Sequence, residues 1–150
     1  MPIIDDKQQP IPLDEHLCFS LYATSRAIQK LYHDGLSQNG LTYPQYLVLV
    51  SLYQYHNVTV KKLGNLLALD SGTLTPLLKR LENEGLVKRQ RSKKDERVVN
   101  VCLTAAGTKK REEVNELPEI LVKKSHFSKT EWDKLESLSN KLFENITAKD

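Results

Sequence analysis

The chain has 150 residues, 39% hydrophobic and 27% charged, enough for one modest core with some apolar faces left for burial in a dimer. Its 22 Lys and Arg against 19 Asp and Glu leave a formal charge of +3, too slight to establish a nucleic-acid partner by itself. No apolar run approaches the roughly 18 residues a membrane helix needs, and residues 1–12 lack a basic-then-apolar signal pattern, so the expected location is cytoplasmic with no membrane partner.

In chain order, Pro2, Pro10 and Pro12 predict an extended, flexible lead over residues 1–12. Asp14 is the expected cap of a first helix carrying Leu17, Leu21, Ala27, Ile28 and Leu31, with Gly35 and Ser37–Gly40 as its stop. Thr42 and Pro44 open a second helix that runs to about His56. Thr59 caps a short helix over Val60–Leu67, and Ala68–Gly72 is a turn. Leu74, Leu77, Leu78 and Leu81 follow at helical spacing as far as Gly85. That helix is expected to start near Thr73, because Pro76 is tolerable only in a first turn.

The apolar period then changes. Leu86–Arg91 and Arg97–Leu103 read as two strands joined by the polar loop Ser92–Glu96. Thr104 caps a charged helix broken near Pro118, and Ser128 with Glu131 forms a capping box for the last helix. The expected class is mainly α with a small β-hairpin. Its parts are a lead over 1–12, N-terminal helices over 13–57, a helix-turn-helix with hairpin over 58–103, and C-terminal helices over 104–150.

Helix, tight turn, helix and basic hairpin is the plan of a winged helix-turn-helix, whose second helix enters the major groove of double-stranded DNA. Ser71, Thr73 and Thr75 stand at the base-reading end, with Lys79 and Arg80 further along for phosphates or a guanine edge. Lys88, Arg89, Arg91, Lys93, Lys94 and Arg97 crowd one short stretch, a basic arm able to meet phosphates. Arg97 at the loop tip suits a narrow minor groove, and Asp95 could direct it through a charge-assisted bond. Each of these charges also has a plain reading as a solvated surface.

The run Leu69-Asp70-Ser71-Gly72-Thr73-Leu74-Thr75-Pro76-Leu77-Leu78-Lys79-Arg80-Leu81-Glu82, with Gly85-Leu86-Val87 and Asp95-Glu96-Arg97, resembles the MarR family of bacterial regulators. The resemblance covers nearly the whole chain. It implies a homodimer held by N- and C-terminal dimerisation helices, with paired winged helices on a near-palindromic operator. It also implies that Arg97 is the wing-tip arginine and Asp95 its supporting acid.

In the first helix, Cys18, Tyr22 and Tyr32 fall within roughly 40° of one direction at about 100° per residue, on a stripe shared with Ser25 and Gln29. Fourteen residues of helix rise about 21 Å, so Tyr32 cannot touch Cys18 of its own helix. It could reach the cysteine of a partner chain if two first helices crossed antiparallel about a two-fold axis. On pattern alone, a helical cysteine is more often a small buried hydrophobe.

Leu17-Cys18-Phe19, Leu21-Tyr22-Ala23, Lys30-Leu31-Tyr32 and Leu41-Thr42-Tyr43-Pro44-Gln45-Tyr46-Leu47-Val48-Leu49 resemble the organic-hydroperoxide-sensing branch of that family. The resemblance implies that Cys18 is the peroxide-reactive residue, with Tyr22, Tyr32 and Tyr43 around it. Oxidation would give a sulfenic acid and then a disulfide, and the reading heads would leave register with the operator. Residues 104–150 contain no second cysteine, which implies the subtype that uses a small cellular thiol. Cys102, in the second strand, is expected to be structural.

The four histidines are scattered without metal-site spacing, and neither a metal nor another cofactor is expected. Trp132 and Phe143 are expected in a dimer core. Three alternatives stay open on sequence: a regulator that answers to a bound small molecule, a thiol peroxidase, and a winged helix that binds only protein. No Arg or His stands at helical spacing from Cys18 on its stripe, which weakens the enzyme reading.

Overall fold

A computed structural model describes residues 11–148. They fall in two compact units, one ending at Asn115 and the other beginning at Glu116. The lead expected over residues 1–12 lies almost wholly outside the described residues.

The first unit opens with a 3-10 turn, Leu13–Glu15, followed by α1, Leu17–Gln38. Asp14 is not the cap of α1: it sits inside the turn, and His16 takes the N-cap position. Pro12 is the cause. Its carbonyl accepts the Glu15 N–H at 3.0 Å and so closes a 3-10 turn that uses up the residues before His16. Gly35 does not stop α1 either. The stop is Gly40, whose φ of +67° lets the Leu41 N–H reach back to the Leu36 carbonyl at 2.9 Å.

The second helix, α2 (Tyr43–Tyr55), has the expected Thr42 cap, with Gln45 closing a capping box. It is apolar around its circumference, and Val48, Leu49 and Leu52 lie at the centre of the unit, fully buried. Thr59 caps α3 (Val60–Leu67), and Asp70 caps α4 (Ser71–Asn83). Leu63, Leu74, Leu78 and Leu81 complete this core.

Two strands, β2 (Val87–Arg91) and β3 (Val99–Leu103), form the expected hairpin. A third strand, β1 (Val58–Thr59), went unforeseen because two residues carry no readable alternation. It pairs antiparallel with β3, so the sheet order is β1-β3-β2. Val58 and Val101 are register partners and both buried, which clamps the sheet to the helices.

Thr104 caps α5 (Ala105–Glu113) by accepting from the Gly107 N–H at 3.0 Å. Its hydroxyl donates to the Gly85 carbonyl at 2.6 Å. Here α5 passes so close to the α4–β2 corner that a Cβ on Gly107 would overlap the Leu86 carbonyl.

In the second unit, Pro118 lies in the first turn of α6 (Leu117–Ser125). The Ser128–Glu131 box opens α7 (Lys129–Thr147) as expected. Phe127 and Trp132 meet edge to face at 6.3 Å, while Leu138, Phe143 and Ile146 are exposed on the single chain. No helix among the described residues is long and apolar enough to cross a membrane.

Candidate functional site

On α4, burial of Leu74, Leu78 and Leu81 turns the opposite face outward. Ser71, Thr73, Lys79 and Arg80 are exposed, and Thr75 is half-buried. The helix starts two residues earlier than expected, which puts Pro76 in its second turn. Asp70 fixes that start. One carboxylate oxygen accepts the Thr73 N–H and the other its hydroxyl, each at 2.9 Å, and these bonds hold the Asp70 carboxyl below its usual range. The N–H missing at Pro76 would have met the Gly72 carbonyl, on an exposed turn within reach of water.

The wing loop carries Lys93, Lys94, Asp95 and Arg97, all exposed. Asp95 does not bond the Arg97 guanidinium. Its Oδ1 accepts the Arg97 backbone N–H at 3.0 Å, the turn geometry a two-residue spacing favours. Asp95 therefore shapes the loop and does not hold the guanidinium. Arg97, Thr75 and Lys61 line one groove of about 500 Å³ between α4 and the wing. Two of the six basic residues of the arm are engaged elsewhere. Arg91 donates to the Glu96 carbonyl at 3.2 Å. Arg89 gives Glu82 three hydrogen bonds, from its backbone N–H at 3.1 Å, Nε at 2.9 Å and a terminal nitrogen at 2.6 Å.

This Glu82–Arg89 pair joins α4 to β2 and was missed in the sequence, where the two residues lie seven apart with a turn between them. The Arg89 guanidinium, as the nearest donor, holds the Glu82 carboxyl below its usual range. A second unforeseen link is Gln45, buried at the start of α2. Its Oε1 accepts the Thr42 N–H at 2.8 Å, and its Nε2 donates to Glu84, just past α4, at 3.4 Å.

The other candidate residues divide between the start of α1 and the place where its far half meets α2. Tyr32 is buried against Tyr43 and Tyr46, with the three ring centroids each 6.1 Å apart. Tyr46 was not singled out in the sequence, although its i+3 spacing from Tyr43 was visible. Burial, then the neighbouring phenols, push Tyr32 up to about 12, and burial pushes Tyr43 up as well. Both therefore stay neutral at ordinary pH and keep an O–H to donate. Cys18 and Tyr22 are not part of this cluster. Both are exposed, Tyr22 accepting from Arg26 at 3.3 Å and Cys18 4.0 Å from His16 Nδ1. Cys102 is half-buried between β3 and β2, its thiol 3.9 Å from the Lys88 carbonyl. Among the described residues no group of three or more His, Cys, Asp or Glu could hold a metal.

A paired helix and wing on this scaffold define a winged-helix DNA-type head. Residues 30–117 match the family model "Transcriptional regulator SarA/Rot". The chain is 41% identical over 146 residues to the organic hydroperoxide resistance transcriptional regulator of Bacillus subtilis, spanning 97% of this chain and 99% of that one. Reduced AbfR bound to DNA, a protein of Staphylococcus epidermidis, is similar with a TM-score of 0.74 and 38% identity, covering 89% of this chain and 92% of that one. The disulfide-formed state of AbfR is similar with a TM-score of 0.60 and 38% identity, covering 89% of each chain. The chain belongs to the MarR family of winged-helix transcriptional regulators, in the group that holds these SarA/Rot-type and organic-hydroperoxide regulators. It is a transcriptional regulator by this membership.

Proposed function

We propose that the chain is a cytoplasmic, homodimeric repressor that binds a near-palindromic operator and releases it when an organic hydroperoxide oxidises Cys18. The observation that carries this reading is the separation along α1: an exposed thiol at its start, and near its far end Tyr32 packed against Tyr43 of α2, both neutral phenols. The two ends are too far apart to meet within one helix, and they would come together when two copies cross antiparallel. Tyr22 would lie beside them. The B. subtilis relative's name and the reduced and disulfide-formed states of AbfR support a redox trigger.

In the reduced protein, the phenol O–H groups would donate to the Cys18 sulfur of the partner chain. Hydroperoxide converts the thiol to a sulfenic acid with release of an alcohol, and a small cellular thiol then condenses with it to a mixed disulfide and water. The added group no longer fits between the phenols, and the α1 helices shift. Because α2 carries Tyr43 and Tyr46 and also reaches the end of α4 through Gln45, that shift would be felt at the reading heads. On DNA, Ser71, Thr73 and Thr75 would read base edges, with Lys79, Arg80, Lys93 and Lys94 on phosphates. Arg97 would enter the minor groove, its loop held in shape by Asp95.

The test is operator binding by wild type and Cys18→Ser, with and without cumene hydroperoxide plus a small thiol. Wild type should release DNA and the serine variant should hold it. Mass spectrometry should place the thiol adduct on Cys18. Release by Cys18→Ser, or an adduct confined to Cys102, would contradict the reading.

A further inference from the structure

The turn that displaces Asp14 from the cap of α1 brings a histidine to the thiol. His16 Nε2 lies 3.0 Å from the Ile11 carbonyl oxygen, and its Nδ1 lies 4.0 Å from Cys18 Sγ. A carbonyl oxygen only accepts, so Nε2 carries the hydrogen. In the neutral ring Nδ1 is then a lone pair, and it faces the sulfur. Ile11 and His16 are half-buried while Cys18 is exposed, so the ring is held from behind and the sulfur stays open to a reactant. Nucleophile, base and a third group orienting the base is the arrangement that activates a weak nucleophile.

We propose that His16 is the proton acceptor for Cys18, with the Ile11 carbonyl as the group that fixes its tautomer. Nδ1 takes the thiol proton. The sulfur attacks the hydroxyl-bearing oxygen of the hydroperoxide; the S–O bond forms as the O–O bond breaks, and an alkoxide leaves. The imidazolium returns its proton to that alkoxide. In sum one thiol and one hydroperoxide give one sulfenic acid and one alcohol: sulfur is oxidised and the peroxide reduced by two electrons. Asp14 and Glu15 in the preceding turn and Tyr22 one helical turn along are the ionisable neighbours in sequence. Of the four tyrosines of α2, Tyr43 and Tyr46 pack at the Tyr32 end, and Tyr53 and Tyr55 lie near its C-terminus.

This inference rests on Cys18 being the oxidised residue, and the test separates the two. Full-length reduced protein is compared with His16→Gln, whose amide N–H can still reach the Ile11 carbonyl but which offers no base at Nδ1. Two rates are measured from about pH 5 to 9, a window that spans imidazole titration. One is sulfenic acid formation with cumene hydroperoxide; the other is alkylation of Cys18 by iodoacetamide. Loss of the base should slow oxidation about 100-fold near neutrality and change the shape of the alkylation profile. An unchanged rate, or a slower rate with an unchanged alkylation profile, overturns the proposal. Oxidation-driven release by Cys18→Ser would instead sink the Cys18 reading, whatever His16 does. A measurement on the wild type needs no variant: the ring nitrogens of His16, followed by NMR, should show the Nε2–H form when neutral. A neutral Nδ1–H form overturns the assignment.

Discussion

In the reading head, α4 is tied at both ends: Asp70 caps its start, and Glu82 bonds Arg89 across to the wing. Thr104 and Gly107 then lock the far end of the hairpin under the α4–β2 corner. At the start of α1 the opposite holds. Leu17, Leu21 and Tyr22 are exposed on the single chain, and among the described residues Cys18 has one polar contact, at 4.0 Å. One region is tied together within a chain; the other presents exposed apolar side chains beside an exposed thiol. For a DNA-binding switch this is a workable division. A rigid head preserves base contacts, while a sensor made from two chains lets a small chemical change move the heads relative to each other.

The largest test of that contrast is truncation in each region. Leu81→Ala, at a fully buried position, should cost about 3 kcal/mol in denaturant unfolding. Leu21→Ala, 41% exposed, should barely change the unfolding of the head and should weaken self-association in sedimentation. Next, Arg97→Ala should reduce operator affinity by about 2 kcal/mol, some thirtyfold, with the melting temperature unchanged. Equal affinity would remove the wing from the interface. Smaller again, Glu82→Gln should cost about 1 kcal/mol of stability at most, since both side chains are partly exposed. It should weaken operator binding several-fold. A double-mutant cycle with Arg89→Met should show coupling between the two, and strict additivity would mean the pair does not set the wing.

The caps at Thr42, Thr59, Thr104 and Ser128 were legible because each is decided within three or four residues. The hairpin was legible from its change of period, and the family motif marked the head. What escaped depends on contacts far apart in sequence or on competition between neighbours. Asp14 is a good cap by type but lost to the turn that Pro12 begins. Pro76 seemed to need a first turn until Asp70 moved the helix start. Glu82–Arg89 and Gln45–Glu84 join separate elements, and no local pattern announces them. In the candidate site, the Tyr32–Tyr43 pairing was expected only through resemblance, and His16 went unrecognised because it lies at the helix boundary, off the stripe of Cys18.

The central claim is that the sensor is shared between two chains, and a mixed dimer tests it most directly. A Cys18→Ser chain that keeps Tyr32 is paired with a Tyr32→Phe chain that keeps Cys18, and the mixed species is isolated by differential tags. If the site forms across the two-fold axis, the one remaining cysteine faces the one remaining Tyr32 and should be oxidised at the wild-type rate. Oxidation at the slower rate of the Tyr32→Phe homodimer would place the phenol and the thiol in the same chain and contradict the account.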